Sequence, residues 1–267
     1  MPNLLVKPSQ PDPNGRIHAI TPASAGWTYV GFEVFRLRDG QNLAQTTGDR
    51  EACLVLLAGK ARVTGGGQDF GTIGGRASPF EPDPWAVYVP ARSEWSLTAA
   101  GDCEVALCTS PGEGKLPARL IGPDKVGQET RGQGTNTRHV RNILPETEPA
   151  ESLLVVEVVT PSGNWSSYPP HKHDRDALPN ESLLEDTYYH RLDPPQGFAF
   201  QRVYTDDRSL DEAMAFEDGD VVLVPKGYHP VGAAHGYDLY YLNVMAGPKR
   251  VWKFHNDPAH EWMLKRA

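Results

Sequence analysis

No run of about 18 consecutive apolar residues occurs in the 267-residue chain, so no membrane-crossing helix is expected. Residues 1–10 (MPNLLVKPSQ) also lack the apolar core of a secretory signal. Basic runs are missing: 26 Lys and Arg stand against 34 Asp and Glu, giving a formal net charge of −8. General nucleic-acid binding needs clustered positive charge, so that function class is set aside. Cysteine is scarce, and the spacing of Cys53, Cys103 and Cys108 suits no metal knuckle. An odd count leaves one thiol over from any pairing, and reduced, buried thiols in a cytoplasmic protein are the expectation. Helical periodicity is almost absent, with weak signals only at 209–214 and 258–265.

What the chain does have is turn formers and short β-like runs. Gly 26 and Pro 24 together make roughly a fifth of the residues, above the usual share of about 12%. Between them lie runs rich in β-branched and aromatic side chains: 27–37 (WTYVGFEVFRL), 52–57, 86–90, 153–159, 198–204, 221–224 and 239–244. This pattern predicts an all-β protein built as a sandwich or barrel.

The two halves repeat. AVYVPARSEWSLTAAGDCEVALC around Pro90 aligns without a gap on VVLVPKGYHPVGAAHGYDLYYLN around Pro225, at an offset of 225 − 90 = 135 residues. Such a repeat is too long for a solenoid and predicts two tandem domains of one architecture, at 1–125 and 126–267. Residues 111–137, rich in Gly, Pro and charge, read as a linker or an exposed excursion.

Histidine is unevenly placed. Of nine, only His18 and His139 precede residue 170. In Pro169-Pro170-His171-Lys172-His173-Asp174, strand alternation sends both imidazoles to one face, where they form a chelating pair. It also predicts that Lys172 faces outward. A carboxylate pair, Glu185-Asp186, heads the next β-like run, and a strand ending at Val224-Pro225-Lys226-Gly227-Tyr228 presents His229. Three imidazoles and one carboxylate suit a single divalent ion such as Zn, Mn, Fe, Ni or Co, with a position left open for substrate. Glu185 has the longer reach. The repeat offset maps Glu51 onto Asp186, and alternation would then place Tyr188 and His190 on the inner face. Both carboxylates therefore stay as candidates. At the same offset Glu94 stands in place of His229, so the first domain is expected to hold no metal.

His-x-His, a carboxylate, then Gly219-Asp220 leading to Pro225-x-Gly227-x-His229 resembles the paired motifs of the cupins. That likeness implies jelly-roll β-barrels holding a metal. The strings NWSSYPPHKHD (164–174), 181–212, 219–248 and WKFHNDPAHEW (252–262) are similar to the 5-deoxy-glucuronate isomerase family of bacterial myo-inositol catabolism, a bicupin family. Two spacings depart from the general cupin pattern. Glu185 lies twelve positions beyond His173, and one residue separates Gly227 from His229.

The resemblance implies an aldose–ketose isomerisation of a small sugar acid through a metal-assisted enediol. A general base must carry a proton between neighbouring carbons, with Glu185, Asp186 and Tyr188 as candidates. The substrate carboxylate needs a cation, and Arg202 and Lys226 are the expected partners. Arg131 or Arg138, in the basic stretch 130–144, is a further cation for the pocket or for a subunit boundary. His190 is expected to support a ligand, and Tyr237, Tyr240 and Tyr241 to fill the strand core. Two other readings share the ligand set: an iron-dependent cupin dioxygenase, and a non-catalytic bicupin that binds a sugar acid. A homo-oligomer is compatible with such a fold.

Overall fold

The computed structural model describes residues 3–265. Its described residues form short antiparallel strands, one four-residue α-helix (Pro22–Ala25) and three 3-10 turns. By compactness the chain divides into two units, 8–127 with 142–155, and 1–7 with 128–141 and 156–267. Among the described residues, 3–7 belong with the C-terminal unit and 142–155 with the N-terminal one. A boundary drawn at one position cannot show such a division.

In the N-terminal unit one sheet runs Arg119–Ile121, Trp85–Val89, Arg50–Ala58, Cys103–Pro111, Gly31–Leu37, Arg16–Ile20. A second runs Asn42–Thr46, Glu94–Ala99, Lys60–Gly65, Gln68–Gly74. Inward residues at alternate strand positions, among them Phe35, Leu54, Leu56, Val63, Val87, Trp95, Leu97 and Val105, fill the core. Each such large side chain contributes about 1.5–3 kcal/mol by leaving water. Cys53, Cys103 and Cys108 are buried and free of disulfides. Burial pushes the Cys53 thiol up to about 12, which leaves it un-ionised and inert at neutral pH.

The C-terminal unit repeats this strand order. Its larger sheet runs Leu5–Val6, Val221–Val224, Glu185–Asp193, Asp238–Ala246, Leu154–Thr160, Arg138–Leu144, Gly127–Arg131. A smaller one runs Trp165–Ser166, Val231–Ala233, Phe198–Tyr204, Asp211–Glu217. Strands Arg50–Ala58 and Glu185–Asp193 stand at the expected offset, 185 − 50 = 135. Gly31–Leu37 and Leu154–Thr160 stand at 154 − 31 = 123. The C-terminal unit therefore holds 135 − 123 = 12 extra residues before Glu185. They fall in the segment that carries His171 and His173.

Three expectations are corrected. Residues 209–214 (SLDEAM), though good helix formers, are mostly strand. Asp211–Glu217 pairs antiparallel with Phe198–Tyr204, and that pairing overrides local propensity. Residues 111–137 are no free linker, since Arg119–Ile121 joins the first sheet and Gly127–Arg131 closes the edge of the larger C-terminal sheet. At the C-terminus the signal over 258–265 resolves to a 3-10 turn, Glu261–Lys265.

Glu51 stands at the repeated position of the N-terminal unit. Its carboxylate is fully buried and accepts five hydrogen bonds. They come from the hydroxyls of Tyr88 (2.7 Å) and Ser110 (3.1 Å) and from the backbone N–H groups of Glu151 (2.8 Å), Ser152 (2.6 Å) and Leu153 (2.6 Å). The acid that would serve an ion is instead satisfied by tethering residues 151–153. Glu51→Gln should lower the unfolding free energy by about 2–4 kcal/mol, because an amide cannot accept all these donors. Urea unfolding measures this, and a loss under about 0.5 kcal/mol would contradict the assigned role.

Candidate metal centre

Strand Glu185–Asp193 lies between Val221–Val224 and Asp238–Ala246, deep in the larger C-terminal sheet. Alternation along it turns Asp186, Tyr188 and His190 to one face. Asp186 and Tyr188 line a cavity together with His171 and His173. Glu185 occupies the opposite face and does not line this cavity. Asp186 is thus the acid of the pair that lines the cavity, and Glu185 would reach it only with a one-residue slip of a strand paired on both sides.

His171, His173 and His229 converge, each offering one ring nitrogen, with these atoms all within 4.8 Å of one another. Ring centroids stand 4.9 Å apart for His171 and His229, 5.0 Å for His173 and His229, and 6.3 Å for His171 and His173. Two of the rings are oriented by the backbone. His173 Nδ1 donates to the Leu184 carbonyl at 3.1 Å, and His229 Nδ1 to the Gly227 carbonyl at 2.8 Å. That tautomer leaves Nε2 as a lone pair on each, and both Nε2 atoms are buried without a hydrogen-bond partner. Buried polar atoms are rarely left in this state, so the orphaned pair fits a divalent cation. Asp186 Oδ2 lies 3.8 Å from His173 Nε2, and its Oδ1 accepts from Asn243 Nδ2 at 2.9 Å.

The electrostatics point the same way. Burial, followed by its two neighbouring imidazoles, holds His171 well below the ordinary histidine value. Burial also lowers His173, and takes His229 to about 3. All three are therefore neutral at pH 7, the form that donates a lone pair. Burial raises Asp186 well above the usual carboxylate range, and a cation in the centre would offset that desolvation. Burial likewise raises Tyr188, which stays a phenol, with its hydroxyl 2.9 Å from Ser167 Oγ.

The expected outward placement of Lys172 is overturned. Its side chain is 2% exposed, with Nζ 2.8 Å from Asp174, 3.2 Å from Asp206 and 3.5 Å from Glu181. Burial works against its charge, but the bonds to these acids outweigh it and hold the lysine above its ordinary value. The cluster ties the ligand segments together. Asp174 Oδ2 accepts the Gly227 N–H at 2.8 Å, and Tyr228 donates to Asp206 at 2.8 Å. Gly227 has φ +94°, and a Cβ there would sit 2.5 Å from the Tyr204 carbonyl, so only glycine makes the turn that delivers His229. The strand His171–Lys172 pairs with His255–Asn256, and Phe254 lies against the His171 ring at 4.6 Å.

Neither expected carboxylate partner reaches the cavity. Arg202 lies on the outer face of Phe198–Tyr204 and forks onto Asp211 with two contacts of 2.7 Å. Alternation sends Gln201 inward instead, where its Oε1 meets His190 Nε2 at 3.1 Å. Lys226 is exposed in its turn and does not line the cavity. The cations that do line it are Arg131 and Arg138. Sequence reading missed Ser166, Ser167 and Asn243, and it took the cavity-lining Tyr241 for core. A buried asparagine within LYYLNV was a usable signal, since an unpartnered amide does not belong in an apolar strand. The two serines gave none.

His190 supplies a measurable pH dependence. It is buried, stacked on Phe216 at 3.7 Å, and held by burial down to about 3. An unfolded chain protonates this group near 6.5, so its neutral form favours folding fully above that pH. The contribution is lost as pH falls from 6.5 toward 3 and amounts to about 2 kcal/mol by pH 5. In metal-free protein, His190→Phe should flatten the fall in urea-unfolding free energy between pH 7.5 and 5 by about that amount. Equal slopes in the variant and the parent would refute the assignment.

Residues 4–263 match the model of the KduI/IolB family. A relative from Geobacillus kaustophilus, named 5-deoxy-glucuronate isomerase, is 58% identical over 99% of this chain and 96% of its own length. One of the same name from Halalkalibacterium halodurans is 53% identical over 99% of this chain and 100% of its own. A solved IolB-like protein from Salmonella typhimurium superposes with a TM-score of 0.95 at 53% identity, covering 98% of this chain and 99% of that one. The fold alone extends to oxalate decarboxylase from Lactobacillus farciminis, with a TM-score of 0.68, 14% identity, and coverage of 98% and 90%. The architecture is thus the expected tandem pair of cupin barrels, and the chain belongs to the KduI/IolB family.

Proposed function

We propose that this chain is an aldose–ketose isomerase that converts 5-deoxy-D-glucuronate to 2-deoxy-5-keto-D-gluconate, using one divalent metal ion. The observation that carries the reading is the pair of orphaned Nε2 atoms on His173 and His229, beside His171 and Asp186 in a cavity lined largely by polar side chains. Relatives of 52–58% identity bearing the isomerase name support the substrate.

His171, His173, His229 and Asp186 would hold the ion. When bound there, a divalent cation supplies a Lewis acid that polarises a carbonyl and stabilises negative charge on adjacent oxygens. The chain does the rest. An aldose-to-ketose shift takes a proton from the hydroxyl-bearing carbon beside the aldehyde and returns one to the aldehyde carbon, through an enediol. Tyr188 keeps its proton at neutral pH, so its hydroxyl serves as a hydrogen-bond donor to a substrate oxygen that gains charge. Ser167 orients that hydroxyl, and Asn243 fixes one oxygen of Asp186 so that the other faces the imidazoles. Tyr241, its hydroxyl 2.5 Å from Ser166 Oγ, packs beside Tyr188 at 4.8 Å and helps keep bulk water from the reacting carbons.

Incubating the purified, metal-loaded protein with 5-deoxy-D-glucuronate in D₂O, read by NMR, tests the activity. The expected result is the keto acid with solvent deuterium at the carbon that receives the proton, and no oxygen uptake. His229→Ala should lose the ion and at least about 1,000-fold in kcat/KM. Oxygen-dependent turnover, or full turnover by a metal-free His229→Ala protein, would contradict the reading.

A further inference from the structure

With Arg202 and Lys226 turned away, the acid end of the proposed substrate still needs a cation. We infer that Arg138, with Arg131 beside it, forms a carboxylate-anchoring subsite in the cavity that the imidazoles line. The inference rests on the sugar-acid reading of that cavity and adds the residue that recognises the acid.

Arg138 differs from two other arginines of the C-terminal unit. Arg141 is paired with Glu157 at 2.7 Å and Arg191 with Asp218 at 2.8 Å. Arg138 has no carboxylate partner among the described residues. Its hydrogen bonds are two from Nη1, to the backbone carbonyl (2.9 Å) and side-chain Oδ1 (3.1 Å) of Asn136. The acid nearest in effect, Glu129, is bonded to Arg131 instead, and a half-buried guanidinium with no carboxylate bonded to it is unusual. Burial lowers its pKa from the ordinary value, and the like charge of Arg131 lowers it further. A bound anion offsets both effects.

The subsite is built rather than incidental. Asn136 grips one edge of the guanidinium, and its own Nδ2 donates to the Tyr168 carbonyl at 3.1 Å, just ahead of the His-x-His strand. Gly132, at φ +73°, lets the two pieces close, since a Cβ there would sit 2.0 Å from the Asn136 carbonyl and 2.7 Å from Arg138 Nη1. This leaves the remaining donors of Arg138 without a protein acceptor, on a side chain that lines the cavity with Tyr188, Tyr241 and His171. Arg131 lines it too, steadied by Glu129 at 2.6 Å and lying over the Trp252 ring at 5.2 Å. A cavity with imidazoles at one place and guanidinium donors at another suits a short polyhydroxy monocarboxylate that presents its carbonyl to the former and its carboxylate to the latter. A neutral sugar of the same length would leave Arg138 buried and unpaired, so the subsite also discriminates.

Calorimetric titration of the metal-loaded protein with D-glucuronate, and with D-glucose as its neutral counterpart, tests this without turnover. The parent should bind the acid and discriminate against glucose. Arg138→Gln should weaken glucuronate binding at least about 30-fold, leave glucose binding unchanged and keep the metal stoichiometry. Arg138→Lys, which keeps the charge but not the fork, should lose about tenfold. It carries the test if the glutamine variant does not fold. Arg62→Gln, an exposed change in the N-terminal unit, is the control. Glucuronate affinity within about threefold of the parent in the folded Arg138 variants, equal losses for both sugars, or a parent that does not discriminate would each overturn the subsite. Arg138-dependent glucuronate binding without isomerisation of 5-deoxy-D-glucuronate would leave the anchor standing and sink the proposed reaction. Isomerisation indifferent to Arg138 would do the reverse.

Discussion

The structure depends on keeping imidazole rings neutral, buried and pointed at one spot. Each requirement is unfavourable alone. A lone pair without a donor in an apolar wall is a lost hydrogen bond, and two such lone pairs a few ångströms apart repel. The fold accepts this because the Leu184 and Gly227 carbonyls fix the tautomers of His173 and His229, and the surrounding sheet leaves the rings no other position. The Lys172 cluster then holds the two ligand-bearing segments against one another through Asp174 and Asp206. Ligand geometry is therefore set by contacts outside the cavity, and the cavity itself stays free for substrate.

The two barrels show how one architecture is committed to different ends. At equivalent positions stand Glu51 and Asp186, one satisfied by five protein donors and the other accepting from Asn243 with its second oxygen turned toward the imidazoles. The C-terminal unit gained a dozen residues just before its acid-bearing strand, and those residues bring His171, His173 and the Lys172 clamp. The N-terminal unit makes the same connection in the short turn 47–49.

Much of this was legible in the sequence because period-two alternation is a strong constraint. It placed His171 with His173, and Asp186 with Tyr188 and His190, while the repeat offset pointed independently to Asp186. The failures have physical causes. Alternation cannot say which of two faces is the inner one, and so Arg202 was favoured over its inward neighbour Gln201. It also assumes that the outside is water. Lys172 does leave the metal face, but it enters a pocket of acids supplied by residues 174–206, a second layer invisible to local pattern. Residues 209–214 looked helical because propensity is local and strand pairing is not. Arg138 was only one cation among several in a basic stretch, since its lack of a carboxylate partner is a property of three-dimensional neighbours.

Anomalous diffraction from crystals of the protein loaded with manganese or zinc tests the central claim most directly. The account predicts one strong peak per chain, coordinated by ring nitrogens of His171, His173 and His229 and an oxygen of Asp186, with none at Glu51. A peak bound through Glu185, a peak in the N-terminal barrel, or no peak among the three imidazoles would contradict it.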